Sequence, residues 1–297
     1  MLDFRTDTFL TVCNTMNFTE AAKILHITQP AVSQHINYLE KAYGVSLFLY
    51  RNKQLHLTES GELLKKRLMT MKNDEKTLRD EIGRTEEGIE SLSMGVTMTI
   101  GEYAIVDKLA GFLHRHPEVN IHVHYGNTVQ LLKLLDEGQI SFALVEGNYQ
   151  KEEYEHKKYS TEEYIGVCAS KHQFKSRNPQ KLEELIEERL LVREVGSGTR
   201  NILEENLSAR GLKIADFRHC TEIENMHTII ELLKKDCGIS FMYKIAVENE
   251  IKQGILREMT FTDFKMQHDF DFIWEKGSIY SPKYNAICEE LAAEKFS

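Results

Sequence analysis

Apolar residues recur every three or four positions through the first 45 residues, and this spacing predicts three short helices. The first helix should end near residues 14–17, where two asparagines favour a turn. Thr19 is the expected N-cap of the second helix, and Thr28 is the expected N-cap of the third. Pro30 lies in the first turn of the third helix, where a missing N–H costs little. The N-terminal region is therefore predicted as a compact helical unit.

The third predicted helix has an apolar face and a polar face. At 100° per residue, the apolar face carries Val32, Ile36, Leu39 and Tyr43. The polar face and its edge carry Gln29, Pro30, Ser33, Gln34, Asn37 and Lys41. Amide side chains can hydrogen-bond base edges in a major groove, and a serine can bond bases or phosphates. The pattern fits a DNA-reading helix, although a solvated helix face would have the same pattern.

The next stretch, residues 45–58, alternates apolar and polar positions around a basic centre. This alternation predicts a β-hairpin, or wing, with Arg51 and Lys53 at its tip. Cations at such a tip would meet phosphates or the minor groove and supply salt-sensitive, sequence-independent affinity.

A long helix is predicted from Thr58, its expected N-cap, to about residue 89, because this stretch contains no proline. Its apolar positions follow a heptad pattern: Leu64, Leu68, Met71, Leu78 and Ile82. Such a seam favours pairing with a second copy of the chain, and the alternative is packing against the same chain. Pairing would also place two recognition helices on the half-sites of a pseudo-palindromic DNA.

Strand and helix patterns alternate from residue 90 onward, which predicts an α/β domain and makes the whole chain α+β. Open sheets bind ligands at the carboxyl ends of strands, beside helix N-termini. Residues 97–99, 126–128 and 196–200 occupy such places and contain small hydroxyl residues or glycines. They could admit a carboxylate or phosphate, with Arg200 adding a charge-assisted bond. N-capping by Thr or Ser is the alternative role.

Charge is distributed unevenly along the 297 residues. Residues 1–67 contain 8 Lys and Arg against 6 Asp and Glu, whereas the remainder contains 29 against 40. A polyanion would therefore dock at the N-terminal end. No window approaches the roughly 18 apolar residues of a membrane span. Charged residues within the first twenty positions argue against a signal peptide, so a cytoplasmic location is expected.

The other functional classes have weaker support in the sequence. The five cysteines are odd in number and show no CxxC spacing, so reduced thiols are expected, although Cys220 and Cys237 leave a redox sensor as an alternative. His122 and His124 alternate beside two further histidines and could bind a metal, but exposed histidines on an edge strand are the commoner case. No P-loop, GxGxxG, HExxH or GxSxG motif is present, so an enzyme is not expected.

Residues 4–62 resemble the winged helix-turn-helix of LysR-type transcription regulators in FTEAAKILHITQPAVSQHINYLE, GVSLFLYR and LTESG. The resemblance implies that Gln29, Pro30, Ser33 and Gln34 lie in or beside the major groove and that Arg51 belongs to the wing. The polar face adds Asn37 to this DNA-binding set, and the hairpin tip adds Lys53.

The C-terminal part resembles the effector domain of the same family in GVTMTIGEY, FLHRHPEVNIHVHYGNT, LVEG, REVGSGTR and CGISFMYKIAVENEI. Members that govern carbon fixation and sulfur assimilation are the nearest in the first of these segments. The family's effector domain resembles type-2 periplasmic binding proteins, with the ligand between two lobes. The implied effector contacts are Thr97, Met98, Thr99, Thr128, Ser197, Gly198, Thr199 and Asn225.

The expected organisation is therefore a DNA-binding domain over residues 1–58, a linker helix over 59–89 and an effector domain over 90–297. Lobe I is expected at about 90–162 and 266–297, and lobe II at about 163–265. We expect a sequence-specific regulator of bacterial transcription whose lobes close on a small anionic metabolite. Its expected partners are double-stranded DNA, other copies of the chain in a dimer or tetramer, and RNA polymerase, with no cofactor, metal or membrane. A secreted solute-binding protein is the alternative for the C-terminal half, but it has no use for the N-terminal helices.

Overall fold

The computed structural model describes residues 3–84, 90–176 and 178–293. The outer ends of the two predicted terminal domains, at residues 1 and 297, lie outside this range. The chain divides into two compact units. The first comprises residues 1–87, 136–138 and 276–280, and the second comprises the remainder.

The first unit contains four α-helices and one hairpin in the predicted order. The bounds are α1 Phe4–Thr15, α2 Phe18–Ile24, α3 Gln29–Tyr43, β1 Phe48–Arg51, β2 Gln54–Leu57 and α4 Glu59–Arg84. Apolar side chains from all four helices and from the hairpin form one buried core around Phe9, Val32 and Leu47. This core fixes α2, α3 and the hairpin relative to one another.

The caps of the short helices follow the sequence at α3 but not at α2. The Thr28 hydroxyl accepts from the Ala31 N–H, which confirms this residue as the N-cap of α3. Thr19 was expected to cap α2, and this prediction is wrong. Asn17 is the N-cap, since its Oδ1 accepts from the backbone N–H groups of Thr19 and Glu20 at 2.9 and 3.1 Å. The helix begins earlier because Phe18 packs against the Phe48 ring of the hairpin.

The two faces of α3 are largely as predicted. Val32, Ile36 and Leu39 are buried, while Gln34 and Asn37 are exposed. Tyr43 was assigned to the buried face but is exposed, because it is the last residue of α3 and the backbone turns away at Gly44 with a φ of +69°.

Helix α4 divides its predicted apolar seam into two parts. Thr58 caps it as expected, since its hydroxyl accepts from the Gly61 N–H at 3.0 Å. Leu64 and Leu68 pack into the N-terminal core. Farther along, Met71, Leu78 and Ile82 remain 51%, 45% and 63% exposed. The predicted continuation over residues 85–89 lies outside the described residues.

The second unit is built on one mixed sheet. Its strands are β3 Glu90–Thr97, β4 Val119–Gly126, β5 Phe142–Val145, β6 Tyr154–Ala169, β7 Arg189–Val192, β8 His219–Glu222, β9 Ile239–Tyr243, β10 Leu256–Met259 and β11 Met266–Glu275. The strand order is β4-β3-β5-β11-β6-β9-β7-β8, with β10 paired to β6. Parallel pairs lie toward both ends of this order, and antiparallel pairs lie at its centre.

Helices connect the parallel strands, as expected for α/β units. They are α5 Val106–Arg115, α6 Thr128–Asp136, α7 Gly198–Ser208 and α8 Met226–Lys234. Two further helices, α9 Glu248–Lys252 and α10 Ser281–Ala292, follow β9 and β11. A π-helical turn, Ile100–Ala104, separates β3 from α5.

The long antiparallel pair β6–β11 runs through both lobes. Residues 271–273 of β11 pair with β5, whereas residues 164–168 of β6 pair with β9. The predicted lobe boundary near residue 162 therefore falls within β6, and the one near residue 266 falls at the start of β11. These boundaries stay a prediction. The first half of β6 was not predicted, because residues 154–163 are mostly polar and become a strand by pairing with β11.

None of the helices in the described ranges combines the length and the hydropathy that a membrane crossing requires.

Replacing Gly61 by alanine should destabilise the first unit. A Cβ at this position would lie 2.2 Å from the Leu47 carbonyl oxygen, and neither backbone can move without disturbing the core. Overpacking of this kind costs about 1–3 kcal/mol. Gly83→Ala on the same helix is the matched control, because no atom lies within 4 Å of its added Cβ and alanine favours helix. Urea denaturation of both variants measures the difference, and equal stability would contradict this role for Gly61.

Candidate functional site

The first candidate site is the polar face of α3 in the N-terminal unit. Gln29, Gln34 and Asn37 are exposed, and Ser33 is half-buried beside them. The Gln29 side-chain amide donates to the Ser33 hydroxyl at 2.9 Å. Pro30 is exposed in the first turn of the helix. The N-terminal half of α3 therefore presents amides and a hydroxyl to solvent.

The hairpin adjoins this face. A cavity of about 270 Å³ lies between them, and its lining includes Gln29, Asn37 and Tyr50. On the side toward the hairpin, the Glu40 carboxylate accepts from the Leu47 N–H at 2.7 Å and fixes the start of the hairpin to α3.

Arg51 and Lys53 are exposed at the hairpin tip. Asn52 and Lys53 have φ values of +50° and +63°, which suit a two-residue hairpin turn. The predicted hairpin tip is thus formed by the expected residues, and α3 and the hairpin contribute to one surface.

The second candidate site lies between the lobes of the C-terminal unit and centres on Glu146. This residue directly follows β5, and only 1% of its surface is exposed. Its Oε1 accepts from the hydroxyls of Thr199 at 2.6 Å and Thr99 at 3.2 Å. The Thr128 hydroxyl donates to the Glu146 backbone carbonyl at 2.7 Å. The three predicted strand-end loops therefore meet on a single residue that the sequence analysis did not select.

Each of the three threonines is placed by the end of a regular element. Thr99 lies between β3 and the π-helical turn, Thr128 is the first residue of α6, and Thr199 is in the first turn of α7. The alternative capping role does not apply to Thr128. Asn127 and Gln130 instead exchange side-chain bonds with each other's backbone N–H, both at 2.9 Å.

Two glycines let the lobes approach at this point. A Cβ on Gly147, whose φ is +86°, would lie 2.5 Å from the Gly198 Cα. A Cβ on Gly198 would lie 2.3 Å from the Glu146 carbonyl oxygen. Backbone contacts this close exclude any side chain, so the direct approach of β5 to α7 depends on glycine at both positions.

Burial dominates the electrostatics of the cluster. It raises the pKa of the Glu146 carboxyl, while the Thr199 hydroxyl and the charge of Arg193 lower that pKa by less. Within the described chain, Glu146 Oε2 and Arg193 Nη1 are buried without a hydrogen-bond partner, whereas the Thr97 hydroxyl lies close enough to the Glu146 carboxyl to lower its pKa. Buried polar atoms normally have partners, so these two atoms are open to a ligand.

Two guanidinium groups near the first turn of α7 are already engaged by carboxylates. Arg193 binds Glu194 through Nε and Nη2, at 2.8 and 3.0 Å. Arg200 binds Glu204 at 2.7 Å and also contacts Glu222. Arg200 was expected to bind an anionic ligand, but its guanidinium group is bound by these two carboxylates.

The remaining predicted effector residues take different positions. Ser197 is buried at the N-terminus of α7, and Gly198 makes the close approach described above. Met98 is half-buried. Asn225 is exposed and caps α8, where its side chain accepts from the Thr228 N–H at 2.9 Å. The structure gives Asn225 a structural role, and its contact with an effector stays a prediction.

Glu146 and Arg193 are the two residues that sequence reasoning missed. In FALVEG, four apolar residues are followed directly by a glutamate and a glycine. The other three loops were selected because they also place polar residues or glycines after a predicted strand. The same rule could have found Glu146. Arg193 likewise directly follows a strand, β7.

Metal and thiol chemistry have little support in the described residues. Within residues 3–84, 90–176 and 178–293, no group of three or more His, Cys, Asp and Glu side chains could hold a metal ion. Cys220 and Cys237 are exposed. Partial burial raises the pKa of the Cys220 thiol, which disfavours the reactive thiolate that a redox sensor needs.

Comparison with known protein families gives two matches that together cover nearly the whole chain. The family described as "Bacterial regulatory helix-turn-helix protein, lysR family" matches residues 5–62. The family described as "LysR substrate binding domain" matches residues 86–295.

Individual relatives agree with these matches. The transcriptional regulator CysL of Bacillus subtilis is 27% identical over 267 residues, 90% of this chain and 88% of that protein. A RuBisCO operon transcriptional regulator of Allochromatium vinosum is 25% identical, covering 96% and 94% of the two chains. These relatives confirm the predicted similarity to carbon-fixation and sulfur-assimilation regulators.

The solved full-length LysG of Corynebacterium glutamicum with bound effector Arg superposes with a TM-score of 0.64. Its sequence is 16% identical, and the match covers 98% of each chain. At this identity the likeness shows the shared fold.

Glu146→Gln should make the protein more stable at neutral and alkaline pH. The folded-state pKa of Glu146 is raised above the usual 4.5, so stability is lost as pH rises from 4.5 through the folded pKa. A glutamine side chain does not ionise, so the variant does not lose stability in this way. The difference in stability between the variant and the wild-type protein should therefore decrease toward pH 4.5. In domains of this size, about 1 kcal/mol changes Tm by about 2–4 °C.

Thermal unfolding from pH 4.5 to 9 measures this advantage. Glu183→Gln, an exposed change in the same unit, is the control and should show no pH-dependent difference. A wild-type protein that is more stable than Glu146→Gln at every pH would contradict the expected penalty of the buried carboxylate.

Proposed function

Since the chain belongs to the LysR family of transcription regulators, we propose that α3 reads its operator and that the Glu146 cluster binds its effector. The protein is a DNA-binding regulator and not an enzyme, and it combines the DNA-binding domain of its family with an effector-binding domain. One observation carries the site assignment. Three strand-end loops of the effector domain converge on one buried carboxylate with unpartnered polar atoms around it.

The DNA-reading surface is supported by exposure and charge. Gln29, Ser33 and Gln34 lie in the first two turns of α3, where major-groove readers contact base edges. Asn37 extends this set by one turn, and Pro30 lies beside it. Arg51 and Lys53 at the hairpin tip contact the DNA backbone or minor groove.

Oligomerisation through α4 follows from the exposed half of its seam. Met71 and Leu78 are about half exposed on a helix that packs its first turns against its own domain. A second copy covers these side chains and places two α3 helices on a pseudo-palindromic site. A dimer or tetramer then acts on promoter DNA in the cytoplasm, with RNA polymerase as a further partner.

Effector binding requires the lobes to separate first. Thr97, Thr99, Thr128 and Thr199 are all almost completely buried, so a ligand reaches Glu146 only when the Thr199 contact opens. The effector then changes the balance between lobe arrangements by its differential affinity for them, typically about 1–3 kcal/mol of coupling.

Replacing Gln29 and Ser33 together by alanine should abolish operator selectivity. These side chains supply hydrogen bonds to base edges, each good contact being worth about 1–3 kcal/mol of discrimination. Binding of the full-length protein to DNA upstream of its own gene, with competitor DNA and across a salt series, measures the effect. Background binding with its salt dependence should persist.

Arg51→Ala is the matched control for this experiment. Removing a phosphate contact should weaken binding to all sequences alike. It should also reduce the slope of log binding constant against log salt concentration by about 1. If the double variant keeps its selectivity, α3 is not the reading element.

Thr99→Phe should abolish the effector response and spare operator binding. The ring cannot fit beside Glu146, because Thr99 is completely buried, and the change lies outside the DNA-binding domain. A promoter-reporter fusion, compared between growth conditions that change wild-type output, measures the response. Thr262→Phe at an exposed position is the control. An unchanged response in Thr99→Phe would place the effector elsewhere.

A further inference from the structure

We propose that the interlobe site selects a small ligand with a positively charged, hydrogen-bond-donating nitrogen, and that Glu146 is the residue that recognises this nitrogen. The inference rests on the proposed effector site and names the chemical class of its ligand. It departs from the anionic metabolite that the strand-end loops suggested.

The place that an anion would take is already filled by the protein. Strand-end loops and helix N-termini hold anions through hydroxyl and N–H donors. Here the Thr99 and Thr199 hydroxyls both donate to Glu146 Oε1. Once the Thr199 contact has opened, a free carboxylate or phosphate would still have to displace a covalently attached carboxylate from the Thr99 hydroxyl.

The second oxygen of the same carboxylate is free for a ligand. Glu146 Oε2 is buried and has no hydrogen-bond partner among the described residues. An ammonium or guanidinium group supplies the N–H donor that Oε2 lacks and a positive charge beyond that of Arg193, which is itself paired with Glu194. A neutral donor would supply the hydrogen bond only.

The surrounding charges favour a cation over an anion. Arg193 and Arg200 are the guanidinium groups beside the cluster, and each is engaged by carboxylates. Glu204 and Glu222 are 43% and 53% exposed, so solvent screens their charges. Among the more deeply buried groups, Arg193 is paired with Glu194, and this leaves the carboxylate of Glu146 in excess. An added anion would increase this excess, whereas a cation would reduce it.

Arg193 indicates a second group on the ligand. Its Nη1 is buried without a partner, and its charge acts on Glu146. An oxygen acceptor on the same ligand would satisfy this N–H. A small amine or guanidine that also bears a carboxylate or hydroxyl oxygen satisfies both free atoms, and amino acids are the simplest compounds of this kind.

The test uses the full-length protein and two sets of probes at constant ionic strength and pH 7.5. The first set is the twenty common L-amino acids with putrescine and agmatine, and the second is sulfate, phosphate and citrate. We expect at least one nitrogen cation to raise the Tm and the three anions to leave it unchanged. Calorimetric titration then gives the Kd of each probe that binds.

Glu146→Gln should weaken the Kd of the cationic probe at least tenfold, because the bond to a charged acceptor becomes a neutral one. Glu146→Asp keeps the charge and should retain the preference for cations at reduced affinity. It also provides a second variant if the first folds poorly. Glu183→Gln removes an exposed carboxylate and should leave the Kd unchanged.

Other outcomes overturn the inference and separate it from the proposed site. If an anion binds, and binds as tightly or more tightly in Glu146→Gln, the ligand class is wrong. The site itself then stands if Thr99→Phe abolishes that binding. Failure of every cationic probe to raise the Tm also overturns the ligand class. A cation whose Kd is unaffected by both Glu146→Gln and Thr99→Phe binds elsewhere, which contradicts the inference and the proposed site together.

Discussion

The hydrogen bonds that converge on Glu146 are the interaction that joins the elements of the C-terminal unit around its candidate site. The buried side chain of this residue receives hydroxyl groups from Thr99 and Thr199, and the backbone carbonyl receives a third from Thr128. A carboxylate removed from water is unfavourable unless its lone pairs are occupied, so these bonds hold the lobes around it. Gly147 and Gly198 allow the backbones close enough for the bonds to form. One constraint thereby sets both the closed arrangement of the lobes and the chemistry of the site.

The N-terminal unit depends on a different kind of interaction. Its core is apolar and continuous from α1 through the first turns of α4, and none of the charged side chains that the structure describes in this unit is buried. The polar side chains of α3 are consequently free for recognition, because packing requires only the opposite face of the helix. The apolar seam of α4 is divided between packing and exposure in a similar way. Leu68 belongs to the domain core, and the apolar positions beyond it are exposed and suit a second chain.

Glu146 also changes how the loops around it are understood. Threonines and glycines at strand ends favour an anion when considered alone, because they offer donors and an open backbone. The same donors serve a carboxylate that the chain itself supplies. Arg200, which looked available for a ligand, is held by Glu204 and Glu222. A site that resembles an anion-binding site in its individual segments therefore already contains a carboxylate of the chain itself once it is assembled.

The sequence by itself determined the elements, their order and the family. Helical spacing, strand patterns and motifs such as LTESG depend on local periodicity and turn chemistry, which neighbouring residues fix. It placed α3, the hairpin and the three strand-end loops correctly, and it gave Thr28 and Thr58 as caps. Only the tertiary structure decided what depends on residues distant in the chain. Phe18 packs against Phe48, so α2 begins at Phe18 and its N-cap is not the expected residue. The polar first half of β6 forms a strand because it pairs with β11. Residues 99, 128, 146 and 199 meet because four separate elements converge, and no local pattern specifies which side chain will lie at their centre.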